Sequence, residues 1–249
     1  MGNKKLVSNR KTLLGYEIDT LSSDGFVDMA FEKLSQNEFT QIVTINPEMI
    51  EFARKNVEFS NVLKQADIVI PDGVGVQIGL RINGCKVQRV AGIEFAKNLL
   101  RKCAEKNISV ALIGAKPEIL EKAVKNLKSE INNLNIAYAR DGYFKSEEED
   151  TIVKEIAQSG AKVVLLALGF PKQEFFARKY EKILRNTLCI GVGGSFDVWS
   201  GVVKRAPIFF QKIGCEWLYR VLTQPARIKR IFPTLPMFLF RVIIKRDDI

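Results

Sequence analysis

The 249-residue sequence contains no histidine. Any mechanism in which imidazole carries the proton is therefore excluded, and a base must be a carboxylate or another group. Cysteine is scarce: Cys85, Cys103, Cys189 and Cys215 form no C-x-x-C pair and no dense framework. That pattern argues against a disulfide-stapled secreted fold and for core thiols in a reducing compartment. No stretch reaches the roughly 18 apolar residues of a spanning helix, and the basic N-terminus lacks an apolar h-region, so a cytosolic chain without a transmembrane anchor is expected. The glycines never take the G-x-G-x-x-G spacing, which disfavours a dinucleotide site.

What is present is unevenly distributed. The net charge is +10, and residues 201–249 hold ten Lys or Arg against three acids, whereas residues 1–200 are nearly balanced at +3. The basic segment interleaves Phe209, Phe210, Trp217, Tyr219, Phe232, Phe238 and Phe240, a mixture suited to anionic phosphates beside an apolar surface. Pro225, Pro233 and Pro236 are expected to break it into short segments. Phe209, Ile213, Trp217 and Val221 recur every four residues, which equally describes a helix packed on a core.

Strand-like runs at 13–18, 41–45, 68–70, 109–113, 135–139, 163–168 and 188–192 alternate mostly with helix-length periodic segments. The fold class expected is α/β, Rossmann-like, with a largely parallel sheet covered by helices on both faces and a C-terminal helical, membrane-binding appendage. One α/β core over 1–200 and the appendage over 201–249 is the expected division. Ser146 with Glu149 reads as a capping box with Gly160 at the stop, and Pro117 opens a helix towards Glu130.

In such a sheet, ligands gather at the carboxyl ends of the strands. Four informative stretches fall there: "TINP" at 44–47, "PDG" at 71–73, "GFPKQ" at 169–173 and "GVGGSFD" at 191–197. Taken singly, each has a structural explanation. Asp72 fits a helix cap, Thr44 and Asn46 before Pro47 fit an Asx or Ser/Thr turn, Gln173 fits a solvated first turn, and the glycines fit tight turns.

The ordered set "TINPEM", "PDGVGV", "QRVAGIEF", "ALGFPKQE" and "GVGGSFDVWSGVVKRAP", followed by "QKIGCEWLYRVLTQPARIKR", resembles the WecG/TagA/CpsF family of bacterial glycosyltransferases from about Leu14 to the tail. The resemblance implies an inverting transfer of a sugar from a UDP-sugar to a lipid-diphosphate-linked acceptor, by an enzyme peripheral on the inner face of the cell membrane. N-acetylmannosamine onto undecaprenyl-diphosphate-linked N-acetylglucosamine, in teichoic acid synthesis, is the leading choice. N-acetylmannosamine-uronate and glucose are the alternative donor sugars. It further implies that Asp72 is the general base, that Thr44, Gln173 and Arg89 are catalytic polar groups, and that Arg220, Arg227 and Arg230 meet the leaving diphosphate. Asn46, Gly142, Tyr143, Gly169, Gly193, Gly194 and Asp197 are the nucleotide-binding candidates. Asp141 stands where some relatives carry histidine.

The chemistry agrees with that implication. Displacing UDP needs a base for the attacking hydroxyl and cations for the departing diphosphate. The sequence has no D-x-D pair to hold a metal, and arginine binds phosphate bidentately, so a metal-independent reaction with no cofactor is expected. Two other classes compete: an NAD- or S-adenosylmethionine-dependent Rossmann enzyme using the glycine turns, and a nucleic-acid-binding module driven by the +7 segment. The apolar content of that segment suits lipid better than nucleic acid. Oligomeric state is left open, with a homo-oligomer allowed.

Overall fold

The computed structural model describes residues 9–88, 90–212, 216, 218–219 and 228–244. Its centre is a six-stranded, all-parallel sheet made of β3 (Thr40–Ile45), β4 (Ile68–Pro71), β5 (Val110–Gly114), β6 (Ile136–Arg140), β7 (Val163–Ala167) and β8 (Leu188–Gly191). The strand order is β4-β3-β8-β7-β5-β6, and every neighbouring pair runs parallel. Both faces are covered, so the strands read as continuous apolar runs; all five residues of β5 are buried. The six runs expected from the sequence agree with these strands to within one or two residues.

The helices divide between the two faces. One face packs α1 (Ser23–Ser35), α5 (Gly92–Glu105), α6 (Pro117–Glu130) and α9 (Ser195–Trp199) on Ile42, Ile68, Leu112, Val163 and Ile190. The other carries α2 (Pro47–Ala53), α3 (Val57–Lys64), α4 (Val74–Ile82), α7 (Glu149–Gln158) and α8 (Lys172–Lys179). Further helices among the described residues include α10 (Ile208–Lys212) and α11 (Ile228–Ile244). Pro117 opens α6 as expected, because its fixed φ suits the first turn and its missing N–H has no helical partner there.

Three local expectations are corrected. The run at 13–18 is a hairpin of β1 (Arg10–Leu13) and β2 (Tyr16–Asp19), not one strand. Leu14 at φ 51° and Gly15 at φ 83° make its two-residue turn, and two positive φ values match the twist of paired strands. Before α7, a 3-10 turn (Ser146–Glu148) intervenes, and Glu148 Oε2 accepts from the Lys145 N–H at 2.9 Å, so the cap lies one residue earlier than the Ser146–Glu149 box. Finally, Pro233 and Pro236 lie inside one 17-residue helix, α11.

An interior proline removes a helical hydrogen bond and costs about 3 kcal/mol, so α11 needs tertiary support. It has that support. Phe238 and Val242 are fully buried in one cluster with Leu13, Ile45, Met49 and Leu80, and Arg241 Nε donates to the buried Glu51 on α2 at 3.2 Å. Burying side chains of this size contributes roughly 1.5–3 kcal/mol each. Residues 228–244 are therefore a helix packed on the core. Phe209 lies in α10 and is exposed, whereas Ile213, Trp217 and Val221 lie outside the described residues.

Candidate active site

Two groups of residues meet at the carboxyl edge of the sheet. The first forms where β3 and β4 end side by side. The Asp72 N–H donates to the Ile45 carbonyl at 2.9 Å, which carries the ladder one residue past Pro71. Asp72 Oδ1 then accepts from the Gly92 N–H at 3.4 Å, at the first turn of α5. Gly92, from "RVAGIEF", closes this corner: a Cβ there would stand 3.1 Å from Thr44 Cγ2 and 3.4 Å from Asp72 Oδ2. Thr44 and Asp72 are both partly exposed, so a hydroxyl and a carboxylate stand on either side of Gly92 with access to solvent.

The two glycines of "PDGVGV" serve different ends. Gly73 has φ 81°, which turns the chain from β4 into α4. Gly75 permits close approach, since a Cβ would lie 2.5 Å from Pro47 Cγ and 2.9 Å from Leu235 Cδ1 of α11. A small cleft of about 150 Å³ lies there, lined by Asn46, Gly73, Thr234 and Leu235 among others. Asn46 Oδ1 caps α2 by accepting from the Met49 N–H at 3.0 Å, so its structural role is occupied.

The second group forms between β5 and β7. The connection after β5 leads outward to β6, whereas that after β7 leads back to β8, so the strand order reverses here. Ligands favour such switch points. A cleft of about 670 Å³ opens at this place, lined by Lys116, Lys122, Gly142, Tyr143, Leu168 and Asp197 among others. Tyr143 is largely exposed, which leaves its ring available to a planar ligand. Of the nucleotide-binding candidates, Gly142, Tyr143 and Asp197 thus share one cleft. Gly194 stands next to it, its Cβ position 3.4 Å from Asp197 Oδ2, and Gly169 and Gly193 turn the chain after β7 and β8 with φ of 77° and 49°.

Gln173 is not solvated. It is buried at the start of α8, where Oε1 accepts from the Gly193 N–H at 3.1 Å and Nε2 donates to Glu174 Oε1 at 2.7 Å. The expectation of a solvated first-turn residue is therefore corrected: the amide braces the 191–194 turn from within. Arg89, Arg220 and Arg227 lie outside the described residues, as does the side chain of Arg230, whose backbone is in α11. Among the described residues, no group of three His, Cys, Asp or Glu is placed to hold a metal ion.

Sequence reasoning missed Gly92, Gly191 and Glu174, although all three stand inside the motifs it singled out. Their signal was residue type within a motif, which does not reveal what faces a backbone across the fold. Burial also pushes the Cys103 and Cys189 thiols up to about 12, which agrees with inert core cysteines.

The comparisons with known proteins bear on this geometry. The model of the glycosyl transferase WecG/TagA/CpsF family matches residues 11–248. A curated relative from Bacillus spizizenii, named N-acetylglucosaminyldiphosphoundecaprenol N-acetyl-beta-D-mannosaminyltransferase, is 39% identical over 211 residues, which cover 84% of this chain and 81% of the relative. The match spans the Thr44–Asp72 corner, the switch-point cleft and α11 alike, and the chain belongs to the WecG/TagA/CpsF family of glycosyltransferases.

Proposed function

We propose that this glycosyltransferase moves N-acetylmannosamine from a UDP-sugar to N-acetylglucosamine carried on a lipid diphosphate, with inversion at the anomeric carbon. The donor's nucleotide occupies the switch-point cleft, with Tyr143 against the base, Asp197 at the ribose and Gly142 allowing close approach. Asp72 takes the proton from the attacking hydroxyl while Thr44 orients it. The hydroxyl oxygen bonds to the anomeric carbon as the bond to the diphosphate breaks, and UDP departs. One displacement with the base on the face away from the leaving group gives inversion. Arg89, Arg220, Arg227 and Arg230 neutralise the diphosphate, so the reaction proceeds without a metal.

The observation that carries this reading is that the Thr44–Asp72 corner and the cleft lined by Gly142, Tyr143 and Asp197 both lie at the carboxyl edge of one parallel sheet, with β8 between them. It is supported by the activity named for a relative 39% identical to this chain. Peripheral binding to an anionic membrane is part of the proposal. Ile208 and Phe209 on α10, and Phe240, Ile243 and Ile244 on α11, are exposed apolar residues within the basic segment. No helix among the described residues is long and apolar enough to cross a membrane.

The test is incubation with a panel of UDP-sugars and a short-chain lipid-diphosphate N-acetylglucosamine, with products identified by mass. Transfer from UDP-N-acetylmannosamine is expected. Transfer only from another UDP-sugar would move the donor assignment, and no transfer from any UDP-sugar would overturn the reading.

A further inference from the structure

The carboxyl of Glu174 has no part in the reaction just outlined, yet it lies directly behind the site. It is 3% exposed in the first turn of α8, and its Oε2 meets no hydrogen-bond partner among the described residues. Its Oε1 holds Gln173 Nε2, and Gln173 Oε1 holds the Gly193 N–H, so a chain of hydrogen bonds runs from the interior to the turn before Asp197. Both side chains cross Gly191, where a Cβ would stand 2.3 Å from Gln173 Nε2 and 2.8 Å from Glu174 Oε1. Only glycine admits the pair.

A glutamine amide can turn over and exchange donor for acceptor. The turned amide of Gln173 would set an N–H against the Gly193 N–H, donor facing donor. An ionised carboxylate only accepts, so it holds the amide in the orientation that serves Gly193. A protonated carboxyl can also donate, and it then tolerates either orientation. We infer that Glu174 is the positioning residue of the nucleotide site: its ionised carboxylate fixes the Gln173 amide, and the amide fixes the turn that presents Asp197 to the cleft. The inference rests on the proposed nucleotide site.

No charged group among the described residues pairs with Glu174. From β3, the neutral Gln41 donates Nε2 to the Glu174 backbone carbonyl at 3.0 Å, and from β8 the neutral thiol of Cys189 faces the same side. Glu58 and Lys64 of α3 lie on its exposed face. On α8 itself, Lys172 sits over the Phe144 ring, Arg178 turns to Glu181 and the Gln65 carbonyl, and Lys179 pairs with Glu149. Burial accordingly pushes Glu174 up to about 7. Between about 4.5 and 7 the folded protein keeps a proton that the unfolded chain has lost, so stability falls as pH rises through that window. Ionisation thus weakens the fold while it orders the site.

The experiment uses full-length protein and measures UDP affinity and thermal midpoint from about pH 5.5 to pH 8.5. In the wild type, affinity should rise through about pH 7 while the midpoint falls. Glu174→Gln keeps the shape and removes the charge. At about pH 8 it should raise the midpoint on the order of 5 °C and weaken UDP binding about tenfold, with affinity no longer dependent on pH near 7. Wild-type affinity in the variant, or a variant less stable at every pH with an unchanged affinity profile, overturns the inference. If Glu174→Gln does not fold, the wild-type curves decide, because affinity and midpoint rising together would also overturn it. Absence of UDP binding by the wild type at every pH counts against the nucleotide site itself, and the midpoint arm then decides whether Glu174 ionises as inferred.

Discussion

Around Asp72 the walls touch, with Gly92 against Thr44 and Asp72, and Gly75 against Pro47 and Leu235. Between β5 and β7 the walls stand apart and leave a cleft of about 670 Å³. The proposed chemistry sits in the first place and the proposed nucleotide in the second. A proton acceptor must be held within a fraction of an ångström of its target, which rigid close packing achieves. A nucleotide needs room, a flat ring and a few polar groups. The tight corner also draws on the C-terminal helix, because Leu235 of α11 packs on its floor, whereas the described lining of the open cleft extends only to Val202.

The comparison breaks most readily at Phe238. If α11 is structurally integral to the Asp72 corner, Phe238→Ala should lower stability by about 3–5 kcal/mol and the thermal midpoint by roughly 10 °C, measured by calorimetry. A midpoint within a degree or so of wild type would make α11 a detachable tether. Next in size, Asp72→Asn should depress turnover by roughly 100-fold while UDP affinity stays near wild type, which locates the chemistry at the corner alone. Wild-type turnover in that variant would remove Asp72 from the role of base.

Asp197→Ala should act the opposite way, weakening UDP affinity about tenfold with a smaller effect on turnover at saturating donor. An equal fall in turnover at saturation would mean the two places are not separable. The smallest effect is expected from chelation: the protein should retain nearly all its activity in EDTA. Complete loss, restored by Mg²⁺ or Mn²⁺, would overturn the assignment of diphosphate neutralisation to arginine.

Much of this arrangement was legible in the sequence. The six sheet strands, the Pro117 start of α6 and the strand-end position of Asp72 follow from apolar period and from proline and glycine punctuation, which act within a few residues. Gly142 and Tyr143 lie 55 and 54 residues before Asp197, and the switch between β5 and β7 brings them to one cleft. The hairpin at 10–19 was read as one strand because its turn depends on Leu14 taking positive φ, which composition does not announce.

The sequence by itself determined a parallel α/β sheet, a chemistry without imidazole and an aspartate at a strand end. Each of these is fixed by residue type or by spacing along a short stretch. Only the tertiary structure decided that α11 runs through two prolines, that Gln173 is a buried brace, and that Glu174 is a carboxyl without a charged partner among the described residues. Those outcomes depend on contacts such as Gly75 with Leu235 and Glu51 with Arg241, the latter 190 residues apart. Burial and close approach are properties of what lies across the fold, and no local pattern encodes them.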